Sequence, residues 1–155
     1  MLRDGRDVTV SAFHHKERVL RKLKQNKPDA DLNVEAPALL HKWAEFTRAV
    51  LQAEADGQEI HTVRYEAMLI NPAEALLGCL EHIVPNHPWD NTVVQNAINA
   101  NSFLSLSGRK PGQSSSSSFL RKGVAGSWRE ELDPITLTHL DSADQKLLRQ
   151  LGYCD

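Results

Sequence analysis

The chain has 155 residues, of which 41% are hydrophobic and 25% charged, and its formal net charge is −2. That length suits one domain with a core of its own, and the composition is that of an ordinary soluble globular protein. The near-neutral balance argues against bulk attraction to nucleic acid or a membrane surface, and no apolar run reaches the roughly 18 residues that a spanning helix needs. Cys79 and Cys154 are too few for a disulfide framework and lack metal-ligand spacing. Met1 to Asp7 is charged where a signal peptide needs an apolar core, so a cytoplasmic location is expected. The cations between Lys16 and Lys27 have no interleaved aromatics and read as a solvated helix face.

In chain order, Asp7 is placed to cap a first helix whose opening turns carry Val8, Val10, Ala12 and Phe13. That helix is expected to run through Leu20 and Leu23 and to end at Asn26-Lys27-Pro28, with residues 26 to 36 a polar loop. Pro37 suits a first helical position. Leu39, Leu40, Trp43, Phe46, Val50 and Leu51 then recur at helical spacing until Gly57, and predict a buried stripe. Ile60 to Tyr65 is short and rich in β-branched residues, which predicts a buried strand.

Asn71-Pro72-Ala73-Glu74 combines a capping Asn, Pro at the first position and Glu three residues past the cap. Leu76, Leu77, Leu80, Ile83 and Val84 form the expected buried face of that helix, up to Pro85. Asp90 caps another, with Val93, Val94, Ala97 and Ile98 inward. Residues 105 to 118, SLSGRKPGQSSSSS, have little to bury and read as a flexible loop within a single domain covering 1–155. Asp133-Pro134 opens a final helical region that carries Leu147, Leu148 and Leu151 and stops at Gly152. The count is five helices and one strand, little sheet for an α/β protein.

Two segments concentrate the chemistry a phosphate monoester requires: cations with forked geometry, hydroxyl donors and exposed backbone N–H groups. RDGRDVTVS supplies Arg3, a tight turn at Gly5 and the hydroxyl of Ser11. FLRKGVAG supplies Arg121, Lys122 and the unencumbered backbone of Gly123. Each has a plainer reading. Arg3 or Arg6 can pair with Asp4 or Asp7, Arg121-Lys122 can be an exposed loop, and Tyr65 and Phe103 can be core aromatics.

Taken together, RDGRDVTVS and RKGVAGSW resemble the two adenosine 3′-phosphate-binding segments of the sulfotransferase family. VRYEAMLINPAEAL between them is similar to the family's Tyr-Glu-Asp stretch, SFLSLSGRKPG to its Phe-containing segment, and LLRQLGY to its last helix. The resemblance implies an α/β, P-loop-NTPase-like sulfotransferase fold, here partial and predominantly helical with one or two short parallel strands. It implies 3′-phosphoadenosine 5′-phosphosulfate (PAPS), or its product 3′,5′-adenosine bisphosphate, as the nucleotide, and a hydroxyl or amine acceptor. By the same resemblance Arg3 and Ser11 hold the 3′-phosphate from one side and Arg121, Lys122 and Gly123 from the other. Tyr65 meets the adenine, Phe103 stacks on it, and Trp128 packs beneath the loop. The chain departs from the family at Gly5, often Pro, at Ser127, often Asp, and in Tyr65-Glu66-Ala67.

The family's Gly-rich loop for the 5′-phosphosulfate and its general-base histidine precede the first of these segments, so both are expected upstream of Met1. His14 and His15 follow the segment and are weak substitutes. His41, His61, His82, His87 and His139 match no catalytic position, and neither a catalytic residue nor a metal ligand is assigned. Lost oxyanion-type contacts cost about 10²–10³ in rate per donor and a missing base roughly 10²–10⁴, so the chain alone is expected to be inactive. A sheet lacking its first strands leaves apolar surface near Val63, which implies a homo-oligomer or a complementing N-terminal half. The alternatives are a non-catalytic nucleotide-binding or assembly module derived from the fold, and an all-helical interaction protein.

Overall fold

The computed structural model describes residues 1–23 and 30–153. In chain order its helices are α1 (Gly5–Lys22), α2 (Leu32–Ala55), α3 (Tyr65–Ile70), α4 (Pro72–Ile83), α5 (Asn91–Ala100), α6 (Phe103–Ser107), α7 (Pro134–Thr138) and α8 (Ser142–Gln150). A 3₁₀ turn at Ser127–Glu130 lies between α6 and α7. The described residues contain no strand. A single parallel bridge pairs Leu2 with Arg64. The chain divides into two compact units, Met1–Arg3 with Glu59–Ala125, and Asp4–Gln58 with Gly126–Asp155.

The second unit holds most of the buried apolar side chains. Val10, Ala36, Trp128 and Leu132 form a cluster against which Leu32 and Leu137 pack. Leu40, Trp43, Leu140, Leu147 and Leu148 are also buried, and each such side chain stabilises the fold by about 1.5–3 kcal/mol relative to exposure. Helix α1 begins at Gly5 because the Asp4 carboxylate accepts the N–H of Arg6. Asp4, not Asp7, is therefore the cap. A Cβ at Gly5 would sit 2.7 Å from Cζ3 of Trp43, so glycine is what lets the start of α1 meet the α2 indole. The end expected at Asn26 to Pro28 falls outside the described residues.

Helix α2 starts five residues before Pro37. Asp31 caps it by accepting the N–H of Asn33, and Pro37 lies inside the helix. Residues 32 to 36 are thus helical rather than loop. The buried stripe is Ala36, Leu40, Trp43, Ala44 and Thr47, narrower than the sequence indicates, because Phe46 and Leu51 face solvent. The final helical region is two helices, α7 and α8, and Gly152 follows α8 with φ of +80°.

Helices α2 and α8 are also joined by charge. Arg48 Nη2 donates to Oδ1 of the buried Asp144 at 2.6 Å, and His41 Nδ1 lies 3.0 Å from Oδ2. The hydrogen bond to Asp144 and then that carboxylate's charge raise the His41 pKa above its ordinary value near 6.5, with smaller help from Glu45 and Asp141. A pKa raised on folding means the stabilisation is full below the unfolded value and fades as pH rises through the folded one. Melting curves of wild type and His41→Gln, recorded across that window, are expected to converge as pH rises. A pH-independent difference would show that the ion pair contributes nothing.

The first unit is differently built. Ile60 to Tyr65 is half-exposed chain rather than a buried strand, with pairing reduced to Leu2 N–H donating to Val63 O and Tyr65 N–H to Leu2 O, both 2.8 Å. Helix α4 starts as the sequence indicates, Asn71 accepting the N–H of Glu74 behind Pro72, yet none of its residues is buried. Asp90 caps α5 as expected, accepting N–H groups from Thr92 and Val93, with only Val94 of that helix buried. Val94 is also the sole buried hydrophobic side chain among the described residues of this unit, whereas Ile70, Ile83, Val93 and Phe119 are 86%, 72%, 62% and 73% exposed. Helices α3 and α6 were not indicated by periodicity. Each has too few residues to show one.

Candidate functional site

The parallel bridge brings the residue after Leu2 to the start of α3. The guanidinium of Arg3 lies 4.2 Å over the Tyr65 ring centroid, a cation–π arrangement, and its Nη2 donates to Val124 O at 3.2 Å. Arg3 therefore touches the backbone immediately after Arg121-Lys122-Gly123. Arg6, by contrast, takes the plainer role: it pairs with Asp4 at 2.9 Å and lies 3.7 Å over the Trp128 ring.

Gly123 adopts φ of +65°, in the left-handed region that glycine enters without a Cβ penalty. Its α-carbon faces Phe103, so that a Cβ there would fall against the ring, 2.7 Å from Cε2. Phe103 opens α6, capped by Ser102, whose hydroxyl accepts the N–H of Ser105. Arg3, Tyr65, Phe103, Arg121, Lys122 and Gly123 thus gather within the first unit. Their side chains are all at least partly accessible. Ser11 lies exposed on α1, in the second unit.

The segment between Phe103 and Arg121 is folded onto itself. Gly112 N–H donates to Lys122 O at 2.8 Å and Ser115 N–H to Arg121 O at 3.0 Å. Residues 105 to 107 of the expected loop belong to α6, which Gly108 terminates in the left-handed conformation. Arg109, which no motif singled out, donates to the carbonyls of Gln113, Leu120 and Arg121.

The residues that follow the cationic loop have structural work. The Asp7 carboxylate accepts N–H bonds from Gly126 at 2.6 Å and Trp128 at 3.1 Å, and a hydroxyl bond from Ser127 at 3.3 Å. Trp128 is 3% exposed, in the core of the second unit. Of the histidines named as substitutes for a base, His14 Nε2 lies 2.6 Å from Glu131 and His15 Nδ1 2.9 Å from Arg18. No helix among the described residues is long and apolar enough to cross a membrane.

Three cations, two partly accessible rings and a glycine backbone thus belong to one unit. A family model described as the sulfotransferase domain matches residues 1–152. No curated protein and no solved structure matches the chain. With that match running over nearly its whole length, the chain belongs to the sulfotransferase family.

Proposed function

We propose that the first unit binds the adenosine 3′-phosphate part of PAPS, or of 3′,5′-adenosine bisphosphate. The observation that carries this reading is the contact of Arg3 with Val124 O and Tyr65, which sets one cation beside the backbone that presents Arg121 and Lys122. The residues fit such a group. Arg3, Arg121 and Lys122 supply charge, Gly123 lets the loop backbone close on the Phe103 ring, and Tyr65 and Phe103 are partly accessible aromatic rings for adenine. When bound, PAPS would supply the sulfuryl group for transfer to a hydroxyl or amine acceptor. The 155 residues contain no GxxxxGK[ST]-like loop to hold the 5′-phosphosulfate. We therefore propose nucleotide binding without appreciable turnover for the chain alone.

Titration calorimetry with 3′,5′-adenosine bisphosphate tests this, with adenosine as the control ligand. Arg3→Ala and Arg121→Ala each remove a charge-assisted hydrogen bond worth about 1.5–3 kcal/mol. The expected loss is roughly 10- to 150-fold in affinity. Wild-type affinity in both variants, or no binding by the wild type, overturns the assignment.

An assembly role has its own support in the first unit, where Val94 is the only buried hydrophobic side chain described while Ile70, Ile83, Val93 and Phe119 face outward. Exposed apolar surface of this kind marks association. Sedimentation is expected to show self-association that grows with concentration. A monomer across the full range would count against it.

A further inference from the structure

We propose that Arg109 is a positioning residue of the nucleotide site, holding Phe103 and the Arg121-Lys122-Gly123 backbone in one pre-ordered arrangement. This rests on the reading that the site binds an adenosine 3′-phosphate, and adds a residue to it that touches no part of the ligand.

The argument begins at the end of α6. Gly108 has φ of +67° and donates its N–H to Leu104 O, which reverses the chain after Ser107. Ser107 Oγ donates to Phe103 O at 2.6 Å and accepts the N–H of Arg109 at 3.2 Å. The hydroxyl thus ties the first residue of α6 to the start of the returning segment. The Arg109 side chain then folds back, its guanidinium 5.1 Å over the Phe103 ring centroid.

Its donors reach across to the cationic segment. Nη2 donates to Leu120 O, and Nη1 to Gln113 O and, at 2.9 Å, to Arg121 O. Only a planar guanidinium offers several rigid donors from one side-chain end, which a lysine ammonium on a flexible stem does not reproduce. In a trans peptide the C=O and the following N–H point in opposite directions. Drawing Leu120 O and Arg121 O toward Arg109 therefore directs the N–H groups of Arg121 and Lys122 away from it. Gly112, donating to Lys122 O, does the same for the N–H of Gly123. Arg109 and Gly112 together fix the orientation of three successive peptides at the cationic loop. Arg109 also lies on the ring that packs against Gly123.

Ordering a loop before the ligand arrives raises affinity by removing the entropy cost of ordering it on binding. Calorimetry with 3′,5′-adenosine bisphosphate on wild type, Arg109→Lys and Arg109→Gln distinguishes positioning from simple attraction of an anion. Positioning predicts that both variants lose about 10-fold or more in affinity, with melting temperatures close to wild type and a changed Gly123 amide resonance. If Arg109 contributes only charge, Arg109→Lys binds as wild type does, and the inference falls while the site stands. Ser107→Ala keeps the guanidinium and cuts the tie to Phe103. It is expected to lose a few-fold, and guards against misfolding of the arginine variants. Wild type that binds neither the bisphosphate nor PAPS overturns the site reading and this inference with it.

Discussion

Asp7→Ala is expected to destabilise the protein by about 3 kcal/mol or more, one of the largest effects of any single substitution in the chain. Asp7 is 1% exposed, and its carboxylate receives the N–H groups of Gly126 and Trp128 and the hydroxyl of Ser127. Removing the acceptor leaves several buried donors without it, each at about 1–3 kcal/mol. The methyl of alanine also leaves a void where the carboxylate stood, beside the Val10, Ala36, Trp128 and Leu132 cluster. Asp7→Asn retains one acceptor oxygen but turns an NH₂ toward the N–H donors, so it is expected to lose less than alanine and still more than 1 kcal/mol. Urea unfolding, read from the midpoint at constant slope, measures both. A midpoint for Asp7→Ala within about 1 kcal/mol of wild type would mean that water or a shifted backbone satisfies those donors, and that this carboxylate is not what fixes the turn at Trp128.

The same residue shows what local sequence signals decide. Asp4 and Asp7 are both competent helix caps by type. Their roles are separated by partners more than a hundred positions downstream, Gly126 to Trp128, which a local pattern does not contain. Asn71 and Asp90 needed only their own next few residues to act as caps, and both do so where the sequence places them. Pro37 misplaced the start of α2 because a first-turn proline is common, while Asp31 supplied a stronger cap six residues earlier. The apolar faces of α4 and α5 were legible as patterns. Burial was not, because a pattern records the capacity to be covered and says nothing about whether a cover is present. Ile60 to Tyr65 has strand composition, but a strand is made by pairing, and only Leu2 pairs with it.

Arg3, Arg121, Lys122 and Gly123 stood out by residue type and by resemblance, and all four fall in one unit with Tyr65 and Phe103. Arg109 was not legible. Its contribution is made through carbonyl oxygens, which every residue possesses, so no residue type at positions 113, 120 or 121 announces it.

Gly123→Ala is expected to reduce affinity for 3′,5′-adenosine bisphosphate by about 100-fold, a change of roughly 2.7 kcal/mol. Two costs act at one atom. A left-handed φ of +65° is unfavourable for alanine by about 1–2 kcal/mol. The added Cβ also falls within the Phe103 ring's contact distance, 2.7 Å from Cε2, and that ring has Arg109 across its face. Either the ring swings away or the Arg121-Lys122 backbone retreats, and each outcome removes a group that the nucleotide reading requires. Gly126→Ala separates these costs. Its φ of +79° imposes the same kind of strain, but the nearest atom to its Cβ is the mobile Nη1 end of Arg129 at 3.2 Å. It is expected to lower stability while leaving affinity within a few-fold of wild type. If the two alanines weaken binding equally, strain alone accounts for the loss and Phe103 has no part in it. If Gly123→Ala binds as tightly as wild type, the nucleotide does not lie against this loop, because no arrangement of an alanine there preserves both the ring and the backbone.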